Sequence, residues 1–295
     1  MKLVKTILAA SVLTLSTGAM ANDMYLDLTN LGGNLHDSSR FIGTADANST
    51  TATFNEFGFS QILATSLYDM TDGTPLGSFY DTNIPAELTA AGIPASGTAL
   101  DGTTFVSLVM PNTPPALGQT DIDALSPLVP PLGSDNEGFL QTWALEVEYH
   151  FDGTLSPAGP SYTGGTFDIY FDSLIDDTYD GLVISGVLTG STLNAANLDL
   201  FFDITYALDD FLYIDSGSSF LDAADVIANG YVPTMVLDTN VNPPVPTADQ
   251  LLLVGTNAVR QTTLDGSITA QVPVPGTLAL LGLGLLGASV RRRRS

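Results

Sequence analysis

The chain contains no cysteine, which removes disulfides, zinc–thiolate centres and cysteine nucleophiles from any account of it. A body of roughly 250 residues buries an ordinary core without such staples. Basic side chains are nearly as scarce. Of the eight, Lys2 and Lys5 stand near the start and Arg291, Arg292, Arg293 and Arg294 near the end. That leaves Arg40 and Arg260 against all 32 acidic residues, a net charge of −30 for the body. Such a field repels nucleic acid and anionic lipid headgroups and attracts cations or basic partners. With no basic stretch interleaved with aromatics, a nucleic-acid partner is excluded. Histidine is limited to His36 and His150. No G-x-S-x-G elbow is present, Gly159 to Gly164 missing that spacing by one residue, so serine-hydrolase chemistry lacks its parts.

The acids present are 27 Asp and 5 Glu, a bias that suits turn-rich β structure, since Asp caps turns and Glu favours helix. Trp143 to Phe151 alternates without a break, with Trp143, Leu145, Val147, Tyr149 and Phe151 on one face and Glu146, Glu148 and His150 on the other. Thr166 to Asp172 and Asn197 to Ala207 repeat the pattern, which marks antiparallel strands with one buried side. Weaker strands are predicted at 24–28, 57–68, 103–110, 181–188, 235–237, 250–254 and 267–272. Short helices are predicted at 85–91 and 220–228. Asp72-Gly73, Asp101-Gly102, Asp152-Gly153, Asp180-Gly181 and Asp265-Gly266 read as tight turns. Pro111 to Asp135 holds six prolines and reads as a long, stiff surface loop, because proline cannot donate to a ladder. The fold class predicted is all-β, an antiparallel β-sandwich or jelly roll with long Pro-rich loops and little helix.

The ends carry their own signals. Lys2 and Lys5, an apolar run from Thr6 to Leu15, and the small residues Ala19 and Ala21 form a secretory signal, cleaved by signal peptidase before Asn22. At the other end Thr277 to Val290 is apolar and meets Arg291, Arg292, Arg293 and Arg294. These arginines act as a stop-transfer cluster that stays cytoplasmic. The run is short for a lasting span, so transient insertion in the inner membrane is expected. The organisation predicted is residues 1–21 signal, 22–271 acidic β domain and 272–295 tail. With its Pro273, Val274, Pro275 and Gly276 before the apolar run, the tail resembles the PEP-CTERM sorting signal of exopolysaccharide-producing Gram-negative bacteria. That resemblance implies an exosortase as partner, cleavage near Pro273 to Pro275, and release to the cell surface or its matrix. Val274 stands where the family motif has glutamate. The segments Phe54 to Phe59, Ala64 to Tyr68 and Phe79 to Ile84 are similar to flocculation-associated PEP-CTERM proteins, which implies an adhesive role with exopolysaccharide in biofilm or floc.

Four candidate sites follow from the body. Asp172, Asp176, Asp177 and Asp180 crowd four carboxylates into nine residues, a donor set suited to calcium. Asp209, Asp210 and Asp215 form a weaker cluster. Glu146 and Glu148, about 6.6 Å apart on one strand face, are the pair a glycosidase of jelly-roll form would use. Tyr170 and Phe201, on wet faces, could stack on sugar rings. No catalytic residue is assigned. The function expected is a structural or adhesive surface protein. Its alternatives are a secreted carbohydrate-active enzyme and a surface protein that keeps its tail as a permanent anchor.

Overall fold

In the computed structural model, residues 22–31, 49–108, 124–127, 139, 143–172 and 181–273 are described. The unbroken alternation after Trp143 becomes β7 (Ala144–Ser156), which is easiest to place among the elements taken in chain order. The first are β1 (Met24–Leu26), the hairpin of β2 (Phe57–Asp69) and β3 (Gly77–Thr82), and helix α1 (Pro85–Ala90). A small ribbon of β4 (Ser96–Thr98) and β5 (Phe105–Ser107) follows, then β6 (Ala124–Pro127). Four long strands come next: β7 (Ala144–Ser156), β8 (Gly159–Asp172), β9 (Gly181–Asn194) and β10 (Asn197–Ala207). After β11 (Leu212–Asp215), β12 (Phe220–Asp222) and α2 (Ala223–Ala228), the described chain ends with β13 (Thr234–Asn240), β14 (Leu252–Val254) and β15 (Asn257–Gln271).

The architecture is all-β and antiparallel with little helix, and its largest sheet curls so that opposite walls face one another across the main core, beside a smaller cluster of Leu67, Leu88, Leu108, Leu252 and Val259. Eight strands run β2-β3-β7-β8-β9-β10-β13-β15 in neighbouring order, and β15 pairs back onto β2 to close the circuit. The result is a barrel in which each long strand neighbours the preceding one in sequence. Closure of eight strands demands strong tilt and coil. Register shifts on β7–β8, β8–β9, β9–β10 and β15–β2 supply the local bends, since a bulge kinks and twists its strand.

Four of the five Asp-Gly pairs divide into two groups; Asp180 of the fifth lies outside the described residues. Gly73 and Gly102 adopt positive φ, each +73°, as tight turns require. Asp152-Gly153 and Asp265-Gly266, predicted as turns, instead lie inside β7 and β15 at or beside register shifts. At Gly153 a Cβ would meet the Phe79 ring at 2.7 Å and the Ser161 carbonyl at 2.9 Å, so glycine here makes room inside the barrel. Sequence punctuation cannot separate the two uses. Pro111–Asp135 also departs from a continuous loop, because Ala124–Pro127 forms β6, with its one proline at the last position, and pairs with both β2 and β7. The rest of that segment lies outside the described residues.

Asn83 explains how β3 can stop without leaving a gap. Its side chain donates to the Val147 carbonyl at 2.6 Å and accepts from the Tyr149 amide at 2.8 Å, continuing the ladder beyond Thr82. Thr82 Oγ1 donates to the Tyr149 carbonyl at 2.9 Å. The chain then turns into α1, with proline in its first turn, where the missing amide costs nothing. At one end of the barrel the buried Arg260 donates to the carbonyls of Pro243 at 3.1 Å and Asn242 at 3.4 Å, holding the loop after β13 in place. Near the other end the short sheet β1-β11-β12 buries Met24, Leu26, Leu212 and Ile214 in the same core as Trp143 and Phe171. Replacing Asn83 with alanine strands one buried donor and one buried acceptor. We expect a loss of about 2–4 kcal/mol, read as a lower urea midpoint at unchanged slope.

Candidate functional site

The short strands β1 and β11 lie almost 190 residues apart in sequence yet pair Met24 with Ile214, Tyr25 with Tyr213 and Leu26 with Leu212. Since alternate residues point to opposite faces, burying Met24, Leu26, Leu212 and Ile214 turns Tyr25 and Tyr213 outward. Their rings stack at 4.7 Å with only 5° between planes. Phe220, on β12, sets its edge against Tyr25 at 5.0 Å and 65° and is 36% exposed. The three rings make one small aromatic platform.

Carboxylates surround it. Tyr213 donates its hydroxyl to Asp210 Oδ1 at 3.0 Å, and Asp210 Oδ2 accepts from the Asn30 side-chain amide at 3.2 Å. Asp222 caps α2 by accepting from the Ala224 amide at 3.0 Å and takes the Asp210 amide, also at 3.0 Å, on its other oxygen. Burial, then the charges of Asp27 and Asp222, push the Tyr25 phenol up. Burial, the hydrogen bond to Asp210 and the charges of Asp210 and Asp222 push Tyr213 up further. Burial also raises Asp222. The platform therefore sits in a negative field and presents uncharged phenols across the physiological range.

The residues singled out in the sequence are scattered by comparison. Tyr170 lies on the outer face of β8 and Phe201 on that of β10, 37% exposed; neither joins the platform. Asp209 and Asp215 flank it, while Asp210 is part of it. Asp172 is fully buried at the end of β8, whereas Asp176, Asp177 and Asp180 lie outside the described residues. Among the described residues no three His, Asp or Glu side chains are grouped to hold a metal ion. Pro273 is exposed just after β15. Ala19, Ala21, Val274, Pro275, Gly276 and Arg291 to Arg294 lie outside the described residues. Among the described residues no helix is long and apolar enough to cross a membrane.

Glu146 and Glu148 share the outer face of β7 as the alternation implied, but Glu146 is only 1% exposed, so the two do not open together onto solvent. Glu148 instead faces Asp168 directly across the β7–β8 pair, with Cβ atoms about 4.5–5.5 Å apart by strand geometry. Ser185 donates to Asp168 Oδ1 at 2.5 Å. Burial, then the charges of Asp168 and Glu87, push Glu148 up. Beside them His150 Nδ1 meets Glu87 Oε2 at 2.7 Å, Nε2 lies 3.4 Å from Asp152, and Tyr80 stacks on the ring at 5.0 Å. Burial depresses the His150 pKa, but the Glu87 hydrogen bond and charge, with Asp152, outweigh it and leave the net shift upward. The pinning of α1 by protonated His150 is therefore fully present below the usual pKa of 6.5 and lost as pH rises through the higher folded value. Nuclear magnetic resonance of the imidazole should give a midpoint above 6.5, and Glu87→Gln should lower it.

Comparison with curated proteins and with solved structures gives no match. Residues 271–294 match the PEP-CTERM protein-sorting motif. That match supports the tail reading made from Pro273 to Arg294 and marks an exported, surface-sorted chain, with an exosortase as its processing partner.

Proposed function

We propose that the chain is a structural, adhesive component of the extracellular matrix that holds exopolysaccharide on the Tyr25–Tyr213–Phe220 face. The observation that carries this reading is the platform itself: three adjoining rings on the outer face of the β1-β11-β12 sheet, bordered by the carboxylates of Asp210 and Asp222. Sugar rings offer a C–H face to aromatic rings and hydroxyls to carboxylates. An aromatic side chain supplies a large apolar surface with a polar tip at its rim. Adjoining exposed apolar side chains mark interaction surfaces in a way that scattered ones do not. The sorting motif supports the reading, since a chain delivered to the cell surface would meet polysaccharide there. The −30 body favours neutral or cationic glycans, and calcium would screen it from acidic ones.

A second reading rests on Glu148 and Asp168, two facing carboxylates, one held toward its protonated form, which is the pairing that glycoside cleavage uses. Glu148→Gln separates the two readings. Under the adhesive reading it leaves polysaccharide binding unchanged and no turnover is found in either protein, whereas under the enzymatic one it abolishes turnover.

Binding to exopolysaccharide isolated from the producing cells should fall about tenfold or more in Tyr25→Ala/Tyr213→Ala, equivalent to roughly 1.4 kcal/mol, with thermal unfolding monitored in parallel. Phe201→Ala, away from the platform, should leave binding intact. Equal binding by all three proteins would remove the platform from the account. Mass spectrometry of the surface form should find residues 278–295 missing; their retention would favour a permanent anchor.

A further inference from the structure

A cavity of about 60 Å³ lies within the barrel, several times the roughly 10–15 Å³ that a single water needs. Eight strands set the width at which side chains fill the bore or leave space for one small ligand. Val147, Phe151, Leu200, Met235 and Leu264 make the walls largely apolar. The Asp81 carboxyl interrupts them, although the residue is only 6% exposed. Its Oδ2 accepts from the Tyr162 hydroxyl, while its Oδ1 is buried with no hydrogen-bond partner. Arg260 directs its guanidinium at the carbonyls of Asn242 and Pro243 and makes no ion pair with it. Burial pushes the Asp81 pKa up against the opposing pull of the Ser66 and Tyr162 hydroxyls and of the charges on Arg260 and His150.

We infer that this cavity binds a small uncharged molecule, apolar along a chain of about four carbons and ending in one hydroxyl that pairs with Asp81 Oδ1. A hydroxyl can donate to Oδ1 of the ionised carboxyl, which an ether oxygen cannot do. An ammonium group would have to shed its water among hydrocarbon walls, and a carboxylate would face Asp81. Water is the competing occupant, since Tyr149, Tyr162 and Thr239 put further polar atoms in the cavity wall and a buried water needs two to four polar partners. Met235, unbranched and adaptable, lets one wall follow the length of the chain. Neither the aromatic platform nor the sorting motif enters this inference, so it stands or falls apart from the adhesive reading.

The test is a methyl-region magnetic resonance titration of the purified protein with 1-butanol, with 1,4-butanediol, and with diethyl ether, which accepts but cannot donate. Saturable shifts at the Leu200, Met235 and Leu264 methyl groups are expected with 1-butanol, with at least tenfold weaker binding for the diol and the ether. Asp81→Ala should erase the preference for butanol over ether. Ala64→Leu, placing added bulk at the cavity wall, should abolish all three responses while the protein remains folded by circular dichroism. If Asp81→Ala does not fold, the butanol-to-ether ratio in the unsubstituted protein decides alone. Equal affinity for butanol and ether, shifts that survive Ala64→Leu, or a crystal structure in which ordered water stays on Oδ1 at saturating butanol would each overturn the inference.

Discussion

Pairing of β15 with β2 is the interaction on which the rest of the structure depends. It runs through eleven registered positions, from Asn257 opposite Asp69 to Ile268 opposite Phe57. Without it the long, alternating strands would end in two open edges, each a row of unpaired amides and carbonyls ready to join another chain. Closure also creates an inside. Arg260 and Asp81 are buried because β15, β2 and β3 lie side by side, with Ser66 opposite both residues in the two registers. The contact joins residues almost 200 positions apart, so its loop-closure entropy cost exceeds that of the local β7–β10 hairpins.

Much of this was legible where one physical rule acted alone. Trp143 to Phe151 alternates because one face meets the core, and Asn197 to Ala207 coincides with β10. Pro85 opens α1 as its fixed φ and missing amide predict. Legibility ended where a residue type serves two purposes. Asp-Gly marks a turn at Asp72-Gly73 but a tight internal packing position at Asp152-Gly153, and only the Phe79 ring across the strand tells them apart. The closure of the sheet was not readable either, since period two specifies a face and never a partner.

The same limit hid the platform. Tyr25 and Tyr213 belong to strands of three and four residues, too short for periodicity to register, and their stacking exists only through tertiary pairing. Tyr170 and Phe201 were visible because they sit in long strands, yet isolation on separate strands makes them weaker binding candidates. Glu146 shows the converse, a residue on the predicted outer face that the fold nevertheless covers. The tail was the most readable part, because proline, a short apolar run and an arginine cluster are defined by order along the chain and need no fold at all.

The proposed role is that an acidic barrel carrying the Tyr25–Tyr213–Phe220 face, delivered to the cell exterior by its sorting tail, holds cells and polysaccharide together. The most direct test is deletion of the gene, followed by parallel measurement of cell aggregation and of polysaccharide turnover. The account predicts that aggregation falls while turnover is unchanged. Undiminished aggregation together with lost turnover would contradict it.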